Sequence, residues 1–72
     1  MKYLVVIEKG PNSYSAYVPD LPGCTTVANT VEELLVRIKE AIEAQFELLR
    51  DYGDPIPEPT SESVFLEVPL AM

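Results

Sequence analysis

The chain lacks residue types that many catalytic and metal sites require. Its 72 residues include no histidine and a single cysteine, Cys24. One cysteine cannot close an intrachain disulfide, and without histidine the usual Cys/His zinc sites are excluded. Cys24 also lacks an imidazole base to raise its thiolate fraction, so we expect a small strand residue rather than a nucleophile. This composition predicts no metal and no cofactor, and it fits a reducing, cytoplasmic setting.

Positive charge and long apolar runs are also scarce. Five Lys and Arg residues stand against twelve Asp and Glu residues, which gives a net charge of -7. Because phosphate binding needs clustered cations, a nucleic-acid surface is not expected, and a basic protein partner is favoured. The apolar run at residues 1–7 is interrupted by Glu8 and Lys9 and has no small-residue cleavage site, so we interpret it as a strand. No segment approaches the ~20 apolar residues that span a membrane.

The remaining pattern predicts one small domain over residues 1–72. β-Branched and aromatic residues with alternating periodicity predict strands at residues 2–8, 14–18, 24–28 and 63–70. A stripe of apolar residues at three- and four-residue steps predicts a helix over residues 31–52. Thr30 with Glu33 forms a capping-box pattern, and Gly53 supplies a left-handed residue after the helix. Residues 55, 57 and 59 are prolines, which cannot continue it.

The element order β-β-β-α-β predicts a two-layer α+β domain. With a right-handed crossover, the fourth strand returns beside the first in a mixed four-stranded sheet of order 3-2-1-4. A single helix can cover only one face of this sheet. The other alternating set, which includes Leu4, Val6, Tyr17 and Phe65, is too apolar for a face exposed to water alone. We therefore expect a partner or oligomer interface there, although scattered exposed aromatics are an alternative explanation.

The segment at residues 17–24 is a restricted loop. Pro19 and Pro22 fix the backbone around Asp20, and Gly23 provides the conformational freedom for a turn. Asp20 either bonds to nearby backbone donors and shapes the loop, or contacts a partner. A metal-dependent nuclease would need several carboxylates at one point, but Glu8, Asp20 and Glu67 fall on separate elements and most other acids lie on the polar side of the helix.

Taken in order, four segments resemble the HicB-like antitoxin family. They are residues 17–24 (YVPDLPGC), residues 30–34 (TVEEL), residues 40–42 (EAI) and residues 53–59 (GDPIPEP). The resemblance implies a partial ribonuclease-H-like fold and the binding of a small, basic, mRNA-cleaving toxin of the HicA type. Fuller members continue into a C-terminal DNA-binding domain, whereas this sequence stops at Met72. Direct DNA binding by this chain alone is therefore not expected.

These observations together predict a non-enzymatic protein of a prokaryotic type II toxin-antitoxin system. It would neutralise a HicA-type toxin, or it would be a solitary HicB-like homologue, and it would form a homodimer or homotetramer. The alternatives are a regulatory homo-oligomer that senses a small ligand and, with less support, a degenerate metal-dependent nuclease. The residues predicted to contact a partner or another copy are Tyr17, Asp20, Leu21 and Phe65.

Overall fold

A computed structural model describes residues 1–70 as an antiparallel sheet covered on one face by a long helix. The elements are β1 (Val6–Lys9), β2 (Tyr14–Tyr17), β3 (Thr25–Ala28) and α1 (Val31–Tyr52). The predicted α+β class and the first four elements are confirmed. The observed strands are shorter than the predicted ones, because the pairing partners of β2 set the limits of the sheet.

The three strands follow each other in the order β1-β2-β3. A tight turn joins β1 to β2, in which the Gly10 N–H donates to the Ser13 carbonyl over 2.8 Å. The register aligns Ile7 with Ala16 on the face that α1 covers and Val6 with Tyr17 on the opposite face. We call this opposite face, formed by residues 6, 8, 15, 17, 25 and 27, the open sheet face.

Local chemistry sets both ends of α1. The Thr30 hydroxyl accepts a hydrogen bond from the Glu33 N–H over 3.1 Å, which satisfies a donor at the first turn. Gly53 has φ 72° and donates to the Arg50 carbonyl, and the Asp54 N–H donates to the Leu49 carbonyl over 2.8 Å. A residue with a Cβ would be strained at this φ. The predicted cap and stop of the helix are confirmed.

The core lies between α1 and the strands β2 and β3. Its buried residues come from β2, the loop that follows it, β3 and α1, and they are Ala16, Val18, Leu21, Cys24, Ala28, Leu34 and Ile38. Half-buried side chains, including Tyr3, Val5 and Phe46, extend this core toward the β1 side. Because α1 packs over β2 and β3, Ile7 in β1 remains 41% exposed although it shares the covered face with Ala16.

The predicted fourth strand is not formed by the described part of the chain. Residues 54–70 contain no strand, so the sheet has three strands and not the predicted order 3-2-1-4. Residues 56, 57, 59 and 61 are half-buried against the body, whereas every residue from 62 to 70 is exposed. We call residues 62–70 the tail. The physical reason for the difference is that the chain is held at Tyr3 and Asp20 before the tail begins, as described below.

Candidate partner interface

The loop between β2 and β3 is closed by its own backbone. The Val18 N–H donates to the Cys24 carbonyl over 3.1 Å, and the Leu21 and Cys24 N–H groups donate to the carbonyls of Val18 and Leu21, each over 3.0 Å. Gly23 has φ 82°, a conformation that other residues rarely adopt. The Leu21 side chain is 0% exposed and fills the core beneath the loop. The loop therefore has a fixed shape, held by both backbone and core.

Asp20 connects this loop to the residues that precede the tail. Its Oδ2 accepts hydrogen bonds from the Thr60 and Ser61 N–H groups, each over 2.9 Å. Its Oδ1 accepts from the Thr60 hydroxyl over 3.0 Å and from the Ser61 hydroxyl over 2.8 Å. The hydrogen bonds from Ser61, followed by those from Thr60, lower the pKa of Asp20 below its ordinary value. We call Asp20, Thr60 and Ser61 the Asp20 clamp.

A second contact holds the same stretch of chain at the start of β1. The Tyr3 hydroxyl donates to the Pro57 carbonyl, and the Tyr3 ring lies 5.9 Å from the Phe46 ring, centroid to centroid, at an angle of 51°. Burial, with smaller contributions from the charges of Glu58 and Asp20, raises the pKa of the Tyr3 hydroxyl. Residues 57–61 thus cross the end of the sheet from β1 to the loop that follows β2.

The open sheet face presents apolar side chains without a covering layer. Tyr17 in β2 is 40% exposed and Val27 in the adjacent strand β3 is 57% exposed. The Val27 carbonyl accepts a hydrogen bond from Arg37 Nη1 over 2.8 Å, and Arg37 also forms an ion pair with Glu33, the helix pair expected from their four-residue spacing. These contacts hold α1 to β3 and leave the opposite face free.

The polar side of α1 carries a line of negative charge. Glu40, Glu43, Glu47 and Asp51 are all exposed and follow each other at three- and four-residue steps, which places them on one side of the helix. The spacings of Glu43 with Glu47 and of Glu47 with Asp51 bring like charges together and are mildly unfavourable for the helix itself. We call these four residues the acidic helix line.

The structure separates the four residues predicted to form an interface. Tyr17 is exposed on the open sheet face, and Phe65 is fully exposed in the tail. Asp20 is half-buried in its clamp, and Leu21 is buried in the core. Their role in contacts with another protein stays a prediction. Sequence reasoning missed Thr60 and Ser61 as partners of Asp20, for which the only signal is that two hydroxyl residues follow three prolines.

Chemistry at this surface is restricted by burial and spacing. The Cys24 thiol is enclosed in the core, and burial raises its pKa. Within residues 1–70, no group of three Cys, Asp or Glu side chains is arranged to hold a metal ion, and the same residues form no pocket. The described residues also include no helix with the length and apolar character needed to cross a membrane. What the surface offers is a sheet face with exposed Tyr17 and Val27 among polar residues, a charged helix and a fixed loop.

A comparison with protein-family models identifies the family of this chain. The model of the HicB-like antitoxin of bacterial toxin-antitoxin systems matches residues 3–69, which include the loop, the helix and most of the tail. The chain belongs to the HicB-like antitoxin family. This confirms the resemblance that the loop, the capped helix and the proline-rich exit had indicated.

Relatives of this HicB-like protein occur among archaea. A UPF0150 protein of Thermoplasma acidophilum is 43% identical over 65 residues, which cover 89% of this chain and 94% of the relative. A UPF0150 protein of Archaeoglobus fulgidus is 46% identical over 55 residues, which cover 75% of this chain and 80% of the relative. Among solved structures, a chain of a HicA3 and HicB3 toxin-antitoxin complex is similar, with a TM-score of 0.71 and 30% identity. That match covers 83% of this chain and 70% of the other.

Proposed function

We propose that this HicB-like protein is a non-catalytic antitoxin that binds and neutralises a small, basic toxin of the HicA type. The observation that carries the proposal is the structural match to a chain of a toxin-antitoxin complex at 30% identity. Family membership over residues 3–69 supports the same role. A stoichiometric inhibitor needs a stable surface rather than reactive groups, which agrees with a buried Cys24 and an Asp20 occupied by its clamp.

Charge supports the choice of partner. The chain carries a net charge of -7, and the acidic helix line exposes four carboxylates on one side of α1. Complementary charge accelerates association and excludes partners of the same sign. Because α1 covers the other face of the sheet, the acidic helix line points away from the open sheet face, and it would attract a basic partner at a distance rather than contact it. Affinity would come from the open sheet face, where Tyr17 and Val27 offer exposed apolar area.

The test starts from the genes that flank the gene for this chain: a flanking gene that encodes a small basic protein is co-expressed with it. We expect the two proteins to co-purify and growth to be restored in cells that produce the toxin. The variant Tyr17→Lys should weaken both effects, because a charge replaces an aromatic side chain in the centre of the proposed contact. Leu35→Lys, at an exposed position of α1 outside both the open sheet face and the acidic helix line, adds the same charge as a matched control and should retain both effects. If the neighbouring protein neither binds nor is neutralised, the proposed function is refuted.

A further inference from the structure

The tail exposes apolar side chains that a soluble chain normally covers. Five large hydrophobic residues stand in its nine positions, and all five are strongly exposed: Val64, Phe65, Leu66, Val68 and Leu70. Positions 64, 66, 68 and 70 are all apolar, the two-residue spacing of one face of a strand, and Glu67 lies on the other face between Leu66 and Val68. A segment with this pattern forms a stable strand only when it pairs with the edge of a sheet.

One edge of the sheet is free to receive such a strand. Within residues 1–70, β1 pairs with β2 alone, so its other side presents unpaired backbone groups. The far edge, at β3, is partly occupied because Arg37 donates to the Val27 carbonyl. On the β1 side, Ile7 lies 41% exposed on the face of the core, where a neighbouring strand would cover it. The β1 edge is therefore the better acceptor.

The same chain is poorly placed to fill its own β1 edge. Residues 57–61 run from Tyr3, before β1, to Asp20, after β2, and thus move away from the outer side of β1. To return, the chain would need to reverse directly after Ser61, yet there is no glycine between Gly53 and Leu70 to support a tight reversal. The longest dimension of the molecule is 54 Å, whereas the 22-residue helix accounts for only about 33 Å. The tail therefore extends away from the sheet and helix.

We infer that the tail of each chain forms a fourth strand on the β1 edge of a second copy of this protein. Each copy supplies one donor strand and one acceptor edge, so two copies related by a two-fold axis satisfy both needs and close the assembly. Charge does not decide the pairing, because β1 contains both Glu8 and Lys9 with Lys2 before it, and the tail carries Glu62 and Glu67. The Asp20 clamp fixes the point at which the tail leaves its own body.

The first test measures the mass of the full chain by sedimentation over a range of concentrations. We expect the mass of two 8.0 kDa chains for the wild type and a monomer for Leu66→Asp. Placing a charge in the new strand should weaken association by about 100-fold or more. Val36→Asp, an exposed position on α1, and Tyr17→Lys, on the open sheet face, should both remain dimeric. Because Leu66 is exposed in the single chain, Leu66→Asp should keep its helical circular dichroism.

The second test identifies the strand that is exchanged. A sample prepared from equal amounts of ¹⁵N-labelled and ¹³C-labelled chain allows nuclear Overhauser effects between copies to be separated from those within a copy. We expect contacts between the Phe65 or Leu66 side chain of one copy and the β1 backbone of the other. A monomeric wild type, a dimer that Tyr17→Lys dissociates and Leu66→Asp does not, or tail contacts within one copy only would each overturn the inference. None of these outcomes depends on toxin binding.

Discussion

The substitution Leu21→Ala tests whether the loop between β2 and β3 is held from the core. Leu21 is 0% exposed and lies in the same cluster as Leu34 and Ile38. Replacing a buried leucine with alanine costs ~2–5 kcal/mol, because apolar contacts are lost and a cavity remains. A domain of this size has a total unfolding free energy of ~4–11 kcal/mol, so the change removes a large share of it.

The assay is thermal unfolding followed by circular dichroism at one fixed protein concentration. A central cost of about 3 kcal/mol lowers the Tm by about 12–24 °C in a domain of this length. The matched control is Leu35→Ala, the same substitution at a position on α1 that is 48% exposed. Leu35→Ala should cost about 0.5 kcal/mol of unfolding free energy, which lowers the Tm by about 2–4 °C.

Hydrogen exchange then shows whether the effect reaches the Asp20 clamp. The Thr60 and Ser61 N–H groups donate to Asp20, so a loosened loop should raise their exchange rates in Leu21→Ala. Leu35→Ala should leave these two rates unchanged. If both variants melt at the same temperature, or if the clamp is equally protected in both, Leu21 does not support the loop in the way described.

Three further predictions concern the helix cap, the thiol and the clamp. Thr30→Ala should cost about 1 kcal/mol in urea unfolding because the Glu33 N–H loses its acceptor, whereas Thr30→Asn should retain most of the stability; equal losses would contradict this capping role. Cys24 should react with a disulfide reagent much more slowly in the folded chain than in urea, since it is buried and its pKa is raised; equal rates would show that the thiol is accessible. Because the pKa of Asp20 is lowered on folding, its contribution to stability is present above the unfolded value of about 3.9 and is lost as the pH falls through the folded value. At pH 6 the wild type should therefore unfold at a higher urea concentration than Asp20→Asn, and this difference should shrink below pH ~4. A difference that stays constant with pH would refute the role given to the Asp20 carboxylate.

The helix was predictable to its ends because its limits depend on neighbouring residues. Thr30 and Gly53 act on backbone groups within a few positions, and the apolar spacing of α1 needs only one surface to pack on. The alternation of the tail, by contrast, predicted a fourth strand that residues 62–70 do not form. Strand pairing depends on residues far away in the sequence. Alternation of apolar and polar residues therefore indicates that a segment can form a strand, but it does not indicate which sheet edge the segment pairs with.

The partners of Asp20 were not predictable from the loop alone. Local hydrogen bonds were expected, but the Leu21 and Cys24 N–H groups already donate to loop carbonyls, and Pro22 has none to give. With its nearest donors committed, the carboxylate bonds to residues 40 and 41 positions later in the chain. A contact at this distance depends on where α1 returns the chain, which the sequence of the loop does not contain.

The long sequence separation of these contacts has a consequence for how the protein is made. The hairpin, β3 and α1 associate through neighbouring elements, whereas the Tyr3 and Asp20 contacts join residues 54, 40 and 41 positions apart. We expect contacts of this kind to form late, because a large loop must close first. Residues 57–61 also follow the three strands and α1 in the chain, so the ribosome releases them after all four elements. Translation thus delivers a sheet with a free edge before it delivers the segment that anchors the tail.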